Sequence, residues 1–414
     1  MNDTAPPAVA ERRRALLLSW LAYATYYLGR KAFSALKKPM QRELRLTSSA
    51  LGAIDTGFLA AYAVGQFASG VLGDRLGSRR LVGFGMLGSA VACAAFGSSR
   101  GFWGFFVCFC VNGLAQSTGW PGTTRVVAEW TRPEERGRVM GLWSTCYQVG
   151  GLVATWLAGW LAMRSGWRFA LWVPAGVLLL VGVAVLVALP SRAVAELAPP
   201  AENSTGAARG PNAAPSAQRR VFTSPALWLY GISYFFIKLI RYALLFWLPF
   251  YLSTVQDYST EKAANVSLAF DAGGMLGVIV IGRLADDFRR GKASLSALSL
   301  ALLLPVFAAY SWFDHRGTLA NVLALALLGA LLFGPDSLLS GAAAQEAGGA
   351  SAAATAVGFV NGIGSFGAVL QGLIVPPIAE RFGWAALFPA LGVFALAAML
   401  ALVPTFRMRP APAR

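Results

Sequence analysis

The sequence is poor in charge, histidine and cysteine. Only 13% of its 414 residues are charged, against roughly 25% in a typical soluble domain, which argues against a cytosolic enzyme. One histidine and four cysteines offer no His/Cys metal cluster, and no nucleophile, base and orienting residue occur at a recognisable spacing. The sequence therefore predicts no enzyme active site, no metal, no cofactor and four free thiols.

A glycine pattern near the end of the chain resembles a dinucleotide-binding fingerprint. Gly362, Gly364 and Gly367 have the required spacing, but they lie inside an apolar run with no preceding strand. Small residues at such spacing also allow two helices to approach closely. We expect close helix packing at this place.

Apolar sequence is abundant. Hydrophobic residues make up 56% of the chain, the mean hydropathy is positive, and runs near the ~20 residues that cross a bilayer recur. We predict an all-α membrane protein with twelve transmembrane helices, at about 14–36, 49–72, 81–98, 101–124, 139–163, 168–189, 225–252, 263–284, 293–311, 318–342, 350–378 and 384–405.

These spans divide into two groups of six. The stretch 190–224 is rich in Ala, Pro, Ser and Asn, a composition typical of a flexible linker. We predict an N-terminal tail at 1–13, a six-helix bundle at 14–189, the linker at 190–224, a second six-helix bundle at 225–405 and a C-terminal tail at 406–414.

The charge that is present is mostly positive. Lys and Arg number 35 and Asp and Glu 19, for a net charge of +16. In a soluble protein this excess would suggest nucleic acid, but here the hydropathy makes the lipid bilayer the expected partner. We place the N-terminus, the linker and the even-numbered gaps on one side and count basic residues at span ends with the adjoining loop; 21 basic residues then lie on that side and 10 on the other. The positive-inside rule then predicts cytoplasmic termini.

A motif of glycine, aspartate and arginine occurs at matching places in the two halves. Glycine permits a tight turn against a neighbouring helix, aspartate can pair with arginine, and arginine keeps the loop in the cytoplasm. The residues are Gly70, Asp74, Arg75, Gly77, Arg79 and Arg80 after span two, and Gly282, Asp286, Arg289 and Arg290 after span eight. With this motif the sequence resembles the major facilitator superfamily, which implies two pseudo-symmetric six-helix bundles with alternating access to a central site.

Basic side chains also lie inside the spans, where each costs roughly 2.5–3.5 kcal/mol on insertion scales and is a functional candidate by default. Arg30 and Lys31 lie in span one, and Lys238 and Arg241 lie in span seven, the corresponding helix of the second half. Lys238 and Arg241 are three residues apart and share a helix face. Lys31 points about 100° away from Arg30, so we expect it to reach the interface. The other three suit an anion, and arginine can bind phosphate through two donors.

Three acids lie in the spans as well. Asp55 and Asp271 occur early in spans two and eight, and Asp336 follows Pro335 in span ten. Asp55 and Asp271 could be counter-ions of the basic cluster or proton carriers, and we favour counter-ions because an unpaired buried charge is expensive. Asp336 could line a cavity or satisfy the kink that Pro335 makes in its helix.

Several segments carry a closer resemblance. YYLGRKAFSALKKPM, LGAIDTGFLAAYAVG, NGLAQSTGWPGTTR, FFIKLIRYALLFWLPFYL, AFDAGGMLGVI and GFVNGIGSFGAVLQG are similar to the organophosphate:phosphate antiporters, in the branch of the sugar-phosphate exchangers and glycerol-3-phosphate permeases. The resemblance implies that Arg30 and Arg241 hold the phosphate. Where family members have a lysine in helix two and a histidine in helix five, this chain has Gln66 and Tyr147, and Lys238 replaces a tyrosine.

The sequence therefore predicts a monomeric carrier in the bacterial inner membrane that exchanges inorganic phosphate for a phosphorylated small molecule. Arg30 and Arg241 would hold the phosphoryl group. The polar wall around it would consist of Lys238, Gln66, Tyr27 and Tyr147. Two alternatives stay open: a transporter-like sensor of organophosphates, and a proton-coupled symporter of a carboxylate with Asp271 or Asp336 as proton carrier.

Overall fold

The structure is a computed structural model that describes residues 6–131, 139, 142–143, 145–190, 221–288, 291–313, 317–348 and 353–407. For residues 6–8, 67, 70–71, 73–75, 128, 286–287, 311–313, 353–355 and 407 it describes the backbone alone. Every regular element in these ranges is a helix, as the sequence predicts. A helix forms all its backbone hydrogen bonds internally, which a chain in hydrocarbon requires. The predicted linker and His315 fall largely or wholly outside the described residues.

The helices of the first half cover predicted spans one to six. Their bounds are α1 Pro6–Leu44, α2 Ser48–Ser98, α3 Phe102–Gln116, α4 Gly119–Glu129, α5 Thr145–Arg164 and α6 Phe169–Ala188. Helix α2 contains spans two and three, which Gly77 separates by a non-helical conformation with φ 74° and ψ 160°. This left-handed conformation suits glycine, which has no Cβ. Span four is divided into α3 and α4 at Ser117 and Thr118.

The helices of the second half cover spans seven to twelve. Their bounds are α7 Pro225–Val255, α8 Thr260–Asp287, α9 Lys292–Phe313, α10 Thr318–Ser340, α11 Ala342–Gly348, α12 Ala353–Phe382 and α13 Leu387–Leu402, with 3₁₀ turns at Trp384–Ala386 and Val403–Arg407. In the described part of the chain, 8 segments are long and apolar enough to cross a membrane. They are Leu76–Ser98, Phe169–Ala188, Pro225–Val255, Thr260–Ala285, Lys292–Tyr310, Thr318–Gly348, Ala356–Phe382 and Trp384–Phe406.

The chain forms two compact units. The first comprises 1–203 together with 259–265, and the second comprises 204–258 and 266–414. In the first unit α1 packs against α5 and α6, and α2 packs against α3 and α6. In the second, α7 packs against α12 and α13, and α9 packs against α10 and α13.

Glycine allows the closest of these helix contacts. A Cβ at Gly150 on α5 would lie 2.4 Å from the carbonyl oxygen of Ala24 on α1, and a Cβ at Gly367 on α12 would lie 2.1 Å from that of Phe235 on α7. Gly364 has a similar contact, 2.3 Å from the ring of Tyr234, whereas Gly362 faces open space. The expected helix packing is therefore confirmed for two of the three glycines of that motif.

The first helix is longer than predicted. The sequence suggested an end near residue 36, before Lys37 and Lys38, but α1 continues to Leu44. The reason is that Lys37 does not face water: it forms an ion pair with Asp55 on α2, and both side chains are 0% exposed. A charge with a buried partner can stay within a packed helix.

Hydrogen bonds link the C-terminal end of α1 to the start of α6. Glu43 accepts hydrogen bonds from Trp167 Nε1 at 2.7 Å and from Arg168 Nη1 at 2.6 Å. The bond from Arg168 favours the charged carboxylate and lowers the pKa of Glu43 below its ordinary value. This contact ties the end of α1 to the start of α6 within the first unit.

Candidate functional site

Arg30 lies in the middle of α1, half-buried among aromatic rings. Its guanidinium carbon is 5.0 Å from the ring centroid of Tyr27 and 4.6 Å from that of Tyr62 on α2. Aromatic faces attract a cation, so the two rings stabilise the charged side chain at this depth. The Nε atom donates a 3.0 Å hydrogen bond to Oε1 of Gln116 at the end of α3.

Gln116 is fully buried and is fixed in turn by a polar network. Its amide nitrogen shares its two hydrogens among three acceptors: the Tyr26 carbonyl oxygen at 3.1 Å, Asn112 Oδ1 at 3.2 Å and Ser89 Oγ at 3.3 Å. Asn112 itself donates a 2.9 Å bond to the Gly29 carbonyl oxygen. Because these bonds use the amide nitrogen, they fix the orientation of Gln116 and direct its oxygen to Arg30.

The predicted wall residues of this unit lie on three helices. The rings of Tyr27 on α1 and Tyr147 on α5 are neighbours, with centroids 6.5 Å apart. Gln66 is half-buried on α2, one helical turn beyond Tyr62, so it is on the face that carries the ring next to Arg30. The structure thus brings Arg30, Tyr27 and Tyr147 together and puts Gln66 a turn away.

Arg241 on α7 has an acidic partner. Its Nη1 atom lies 2.5 Å from Oδ2 of Asp336 on α10, and its guanidinium carbon lies 4.3 Å from the ring centroid of Phe333. The side chains are 25% and 10% exposed. The Asp336 side chain pairs with Arg241. Pro335 has no N–H and therefore leaves the carbonyl oxygen of Leu331, four residues earlier, without its helical donor; this oxygen accepts a 2.8 Å hydrogen bond from Ser299 Oγ.

Lys238, one turn before Arg241, has neutral partners. Its Nζ atom donates to Oδ1 of Asn361 at 3.0 Å and to Oγ of Ser365 at 3.1 Å, both on α12. The Tyr234 ring centroid is 5.3 Å from the ammonium. The two cations of α7 therefore contact different helices, α10 and α12.

The remaining charged residues that the sequence places inside spans are two acids and one lysine. Asp55 pairs with Lys37, a residue assigned to a loop by the sequence, rather than with the residues of span one that the counter-ion hypothesis named. Asp271 is half-buried on α8, and its role stays a prediction. Lys31, expected at the interface, is instead 4% exposed. Its Nζ atom would lie 3.6 Å from a Cβ at Gly151 on α5, which accounts for its burial.

The glycine and arginine motif differs between the halves. In the first, Gly77 makes the turn, Arg79 is half-buried and Arg80 exposed. In the second, Gly282 lies within helix α8 in open space, and the left-handed residue is Gly291, with φ 84°. The prediction of a turn at Gly282 is therefore wrong, because a regular helix continues through it. Gly70, Asp74, Arg75 and Asp286 are described by their helical backbone only, and Arg289 and Arg290 fall outside the described residues.

Sequence reasoning missed three polar side chains of these clusters: Gln116, Asn361 and Ser365. Each is a polar residue within an apolar span, the signal that could have identified it. The signal was weaker than that of the charged residues because neutral polar groups are less costly in a bilayer. The four cysteines are free thiols, as predicted, and no group of His, Cys, Asp or Glu in the described ranges could hold a metal ion.

The two units, helical throughout their described regular elements and each with an arginine held inside by polar side chains, have the architecture of a secondary membrane transporter. Solved structures agree on the fold. A nucleoside transporter matches with a TM-score of 0.74 at 13% identity, covering 96% of this chain and 100% of that one. An inward-facing bacterial homologue of the human lysosomal transporter Spinster matches with a TM-score of 0.76 at 17% identity, covering 96% and 94%.

The chain belongs to the major facilitator superfamily, in the branch of the organophosphate:phosphate antiporters. The superfamily's sequence profile matches residues 19–372. Sugar phosphate exchanger 3 of Mus musculus is 33% identical, with 81% of this chain and 75% of that protein covered. A glucose-6-phosphate exchanger of Bos taurus is 28% identical, with 93% and 91% covered. These findings confirm the predicted fold class, an integral multi-pass membrane protein, and a transporter rather than an enzyme.

Proposed function

We propose that the protein exchanges a phosphorylated small metabolite, of the glycerol 3-phosphate or hexose phosphate class, for inorganic phosphate. Arg30 and Arg241 bind the phosphoryl group, and Lys238, Gln66, Tyr27 and Tyr147 complete the polar surroundings. The printed names of the relatives, a sugar phosphate exchanger and a glucose-6-phosphate exchanger, support this substrate class.

The proposal rests on the hydrogen-bonded partner that each of the two arginines has. In each unit an arginine from the first span is hydrogen-bonded by a residue of the fourth span: Arg30 by Gln116, and Arg241 by Asp336. A functional arginine is most effective when its orientation is fixed before the ligand arrives. Each arginine arranged in this way suits an anionic ligand.

The chemistry of arginine suits phosphate in particular. Its planar fork of donors matches two phosphate oxygens, and its charge is permanent. The bond from Arg30 Nε to Gln116 fixes one edge of the guanidinium group. The neighbouring rings of Tyr27 and Tyr62 keep the guanidinium plane in place.

We further propose that the protein is a monomer in a bacterial inner membrane with both termini in the cytoplasm. The excess of Lys and Arg on the side of the termini and the linker supports this orientation. Labelling of a single cysteine introduced at residue 205, in a variant without the four native cysteines, tests it. We expect protection in intact cells and reaction after permeabilisation; reaction in intact cells would reverse the orientation.

Counterflow tests the exchange reaction. Purified protein in liposomes preloaded with inorganic phosphate should take up labelled phosphate or glycerol 3-phosphate, and empty liposomes should not. Arg30→Lys and Arg241→Lys keep the charge but lose the fork, so each should lower exchange at least tenfold, the loss of about one charge-assisted hydrogen bond. Arg381→Lys, at an exposed arginine at the end of α12, is the matched control.

The outcomes separate the alternatives. Unchanged exchange in both arginine variants would show that bidentate binding is the wrong mechanism. Uptake driven by a pH gradient without internal phosphate would favour a proton-coupled symporter. Binding of glycerol 3-phosphate without any uptake would favour a sensor, and absence of both in folded protein would reject the proposal.

A further inference from the structure

We infer that Lys238, Asn361 and Ser365 form a subsite for the hydroxyl groups of the transported ester, and that Asn361 and Ser365 determine substrate specificity. The inference rests on the proposed function, because it assigns the organic part of the same substrate. Such a subsite would favour phosphate esters of polyols and sugars over esters of simple alcohols and over phosphorylated carboxylic acids.

The three side chains form a defined cluster within the second unit. The ammonium of Lys238 lies 3.0 Å from Asn361 Oδ1 and 3.1 Å from Ser365 Oγ. The Ser365 hydroxyl donates its hydrogen to the backbone carbonyl oxygen of Asn361 at 2.8 Å. The lone pairs of Ser365 Oγ therefore accept the hydrogen bond from the Lys238 ammonium. Lys238 and Arg241 share a face of α7, which puts the cluster beside the arginine assigned to phosphate.

Helix packing fixes this cluster. A Cβ at Gly364 would lie 2.3 Å from the Tyr234 ring and 3.1 Å from Cδ of Lys238. Glycine at this position therefore lets α12 come close enough to α7 for Asn361 and Ser365 to reach the ammonium. Fixed polar groups of this kind distinguish ligands better than mobile ones, because they need no rearrangement on binding.

Space for an organic group lies next to the cluster. A Cβ at Gly358 or at Gly362 would meet no atom within 4 Å. At 100° per residue, Gly358 projects only about 20° from Ser365 and about 60° from Asn361 on α12. At these two positions beside the polar side chains, the helix surface therefore carries no side chain that would exclude a ligand.

The donors and acceptors of the cluster suit a hydroxyl group. A hydroxyl both donates and accepts, so it can accept from Lys238 and donate to Asn361 Oδ1 or Ser365 Oγ. A carboxylate only accepts, and it would face the two oxygen atoms that already hold the ammonium. An alkyl group would leave these polar groups without a substitute for water, which is unfavourable.

The test compares two esters with the same three-carbon chain, glycerol 3-phosphate and propyl phosphate, which lacks the two hydroxyls. KM is measured by uptake into liposomes preloaded with inorganic phosphate. We expect the wild-type protein to have a KM about tenfold higher for propyl phosphate, the value of roughly one well-placed hydrogen bond. Asn361→Ala and Ser365→Ala should reduce that ratio to less than about threefold.

Three further variants test the subsite, and the first two separate recognition from folding. Ser365→Thr keeps the hydroxyl and should keep the preference. Ser299→Ala removes a serine of the same unit that donates to the Leu331 carbonyl oxygen at 2.8 Å, and it should leave the ratio of the two KM values unchanged. Gly358→Leu fills the open space and should raise the KM for glycerol 3-phosphate more than that for inorganic phosphate.

The results distinguish the inference from the function on which it rests. If the wild-type protein exchanges both esters equally well, or if the alanine variants raise both KM values in proportion, the hydroxyl subsite is wrong although exchange stands. If folded wild-type protein exchanges inorganic phosphate but neither ester, the proposed substrate class and the subsite both fail.

Discussion

The ion pair between Arg241 and Asp336 is expected to weaken the binding of phosphate to Arg241. The Asp336 carboxylate lies 2.5 Å from the guanidinium and is 10% exposed. If Arg241 binds phosphate, the phosphate must displace this carboxylate or share the arginine with it. Asp336→Asn removes the competing charge with almost no change in shape, so we expect phosphate to bind more tightly.

The structure bounds the size of the effect. Unit charges about 4 Å apart attract by ~4 kcal/mol at an effective dielectric constant of ~20, but the net value of a hydrogen bond to a charged group is about 1.5–3 kcal/mol. The second carboxylate oxygen, Oδ1 of Asp336, is buried without a hydrogen-bond partner, so one oxygen alone holds the guanidinium, which favours the lower value. About 1.4 kcal/mol corresponds to a roughly tenfold lower KM for inorganic phosphate.

Phosphate self-exchange in liposomes measures the effect, with KM and maximal rate determined separately. Asp257→Asn, at an exposed residue after α7, is the matched control and should leave both unchanged. A tenfold higher KM in folded Asp336→Asn protein would refute the reasoning. Arg241 would then need the charge of Asp336, and not only its hydrogen bond, to be positioned for the substrate.

Three further predictions concern single contacts. Gln116→Glu puts a carboxylate beside the arginine of α1 and should raise the KM for phosphate about tenfold in self-exchange; an unchanged KM would contradict it. Lys37→Met leaves Asp55 buried without its partner and should destabilise the protein by about 3–5 kcal/mol in detergent unfolding, and Lys37→Met with Asp55→Leu should recover most of the loss. Gly77→Ala should cost about 1–2 kcal/mol because its φ of 74° strains a residue with a Cβ, whereas Gly282→Ala, in open space, should cost nothing.

Much of the fold is predictable from the sequence because the bilayer sets simple requirements. Runs of apolar residues have to be helical and have to match its thickness, so spans seven to twelve coincide with helices to within several residues. Arg30 and Arg241 were identifiable for a related reason. A charge inside an apolar run is expensive and therefore unusual.

The contacts of those charges were not predictable in the same way. Lys37 appears in the sequence as part of a basic loop, and only its packing against Asp55 explains why α1 continues past it. Asp336 was ambiguous because a kink and a cavity make the same demand on the sequence, and neither reading predicts its ion pair with Arg241. Gln116 carries no charge, so its role emerges only from its hydrogen bonds to Arg30 and to the backbone of α1.

The two repeats are alike in architecture and unlike in charge. Spans four and ten occupy corresponding places in the halves, yet the identified partner of Arg30 is a neutral amide and that of Arg241 is a carboxylate. A phosphate that replaces an amide breaks one charge-assisted bond, whereas one that replaces a carboxylate also separates an ion pair. The opposite expected effects of Gln116→Glu and Asp336→Asn follow from this single difference. Equal effects in the same direction would show that the partner's charge does not govern phosphate binding at either arginine.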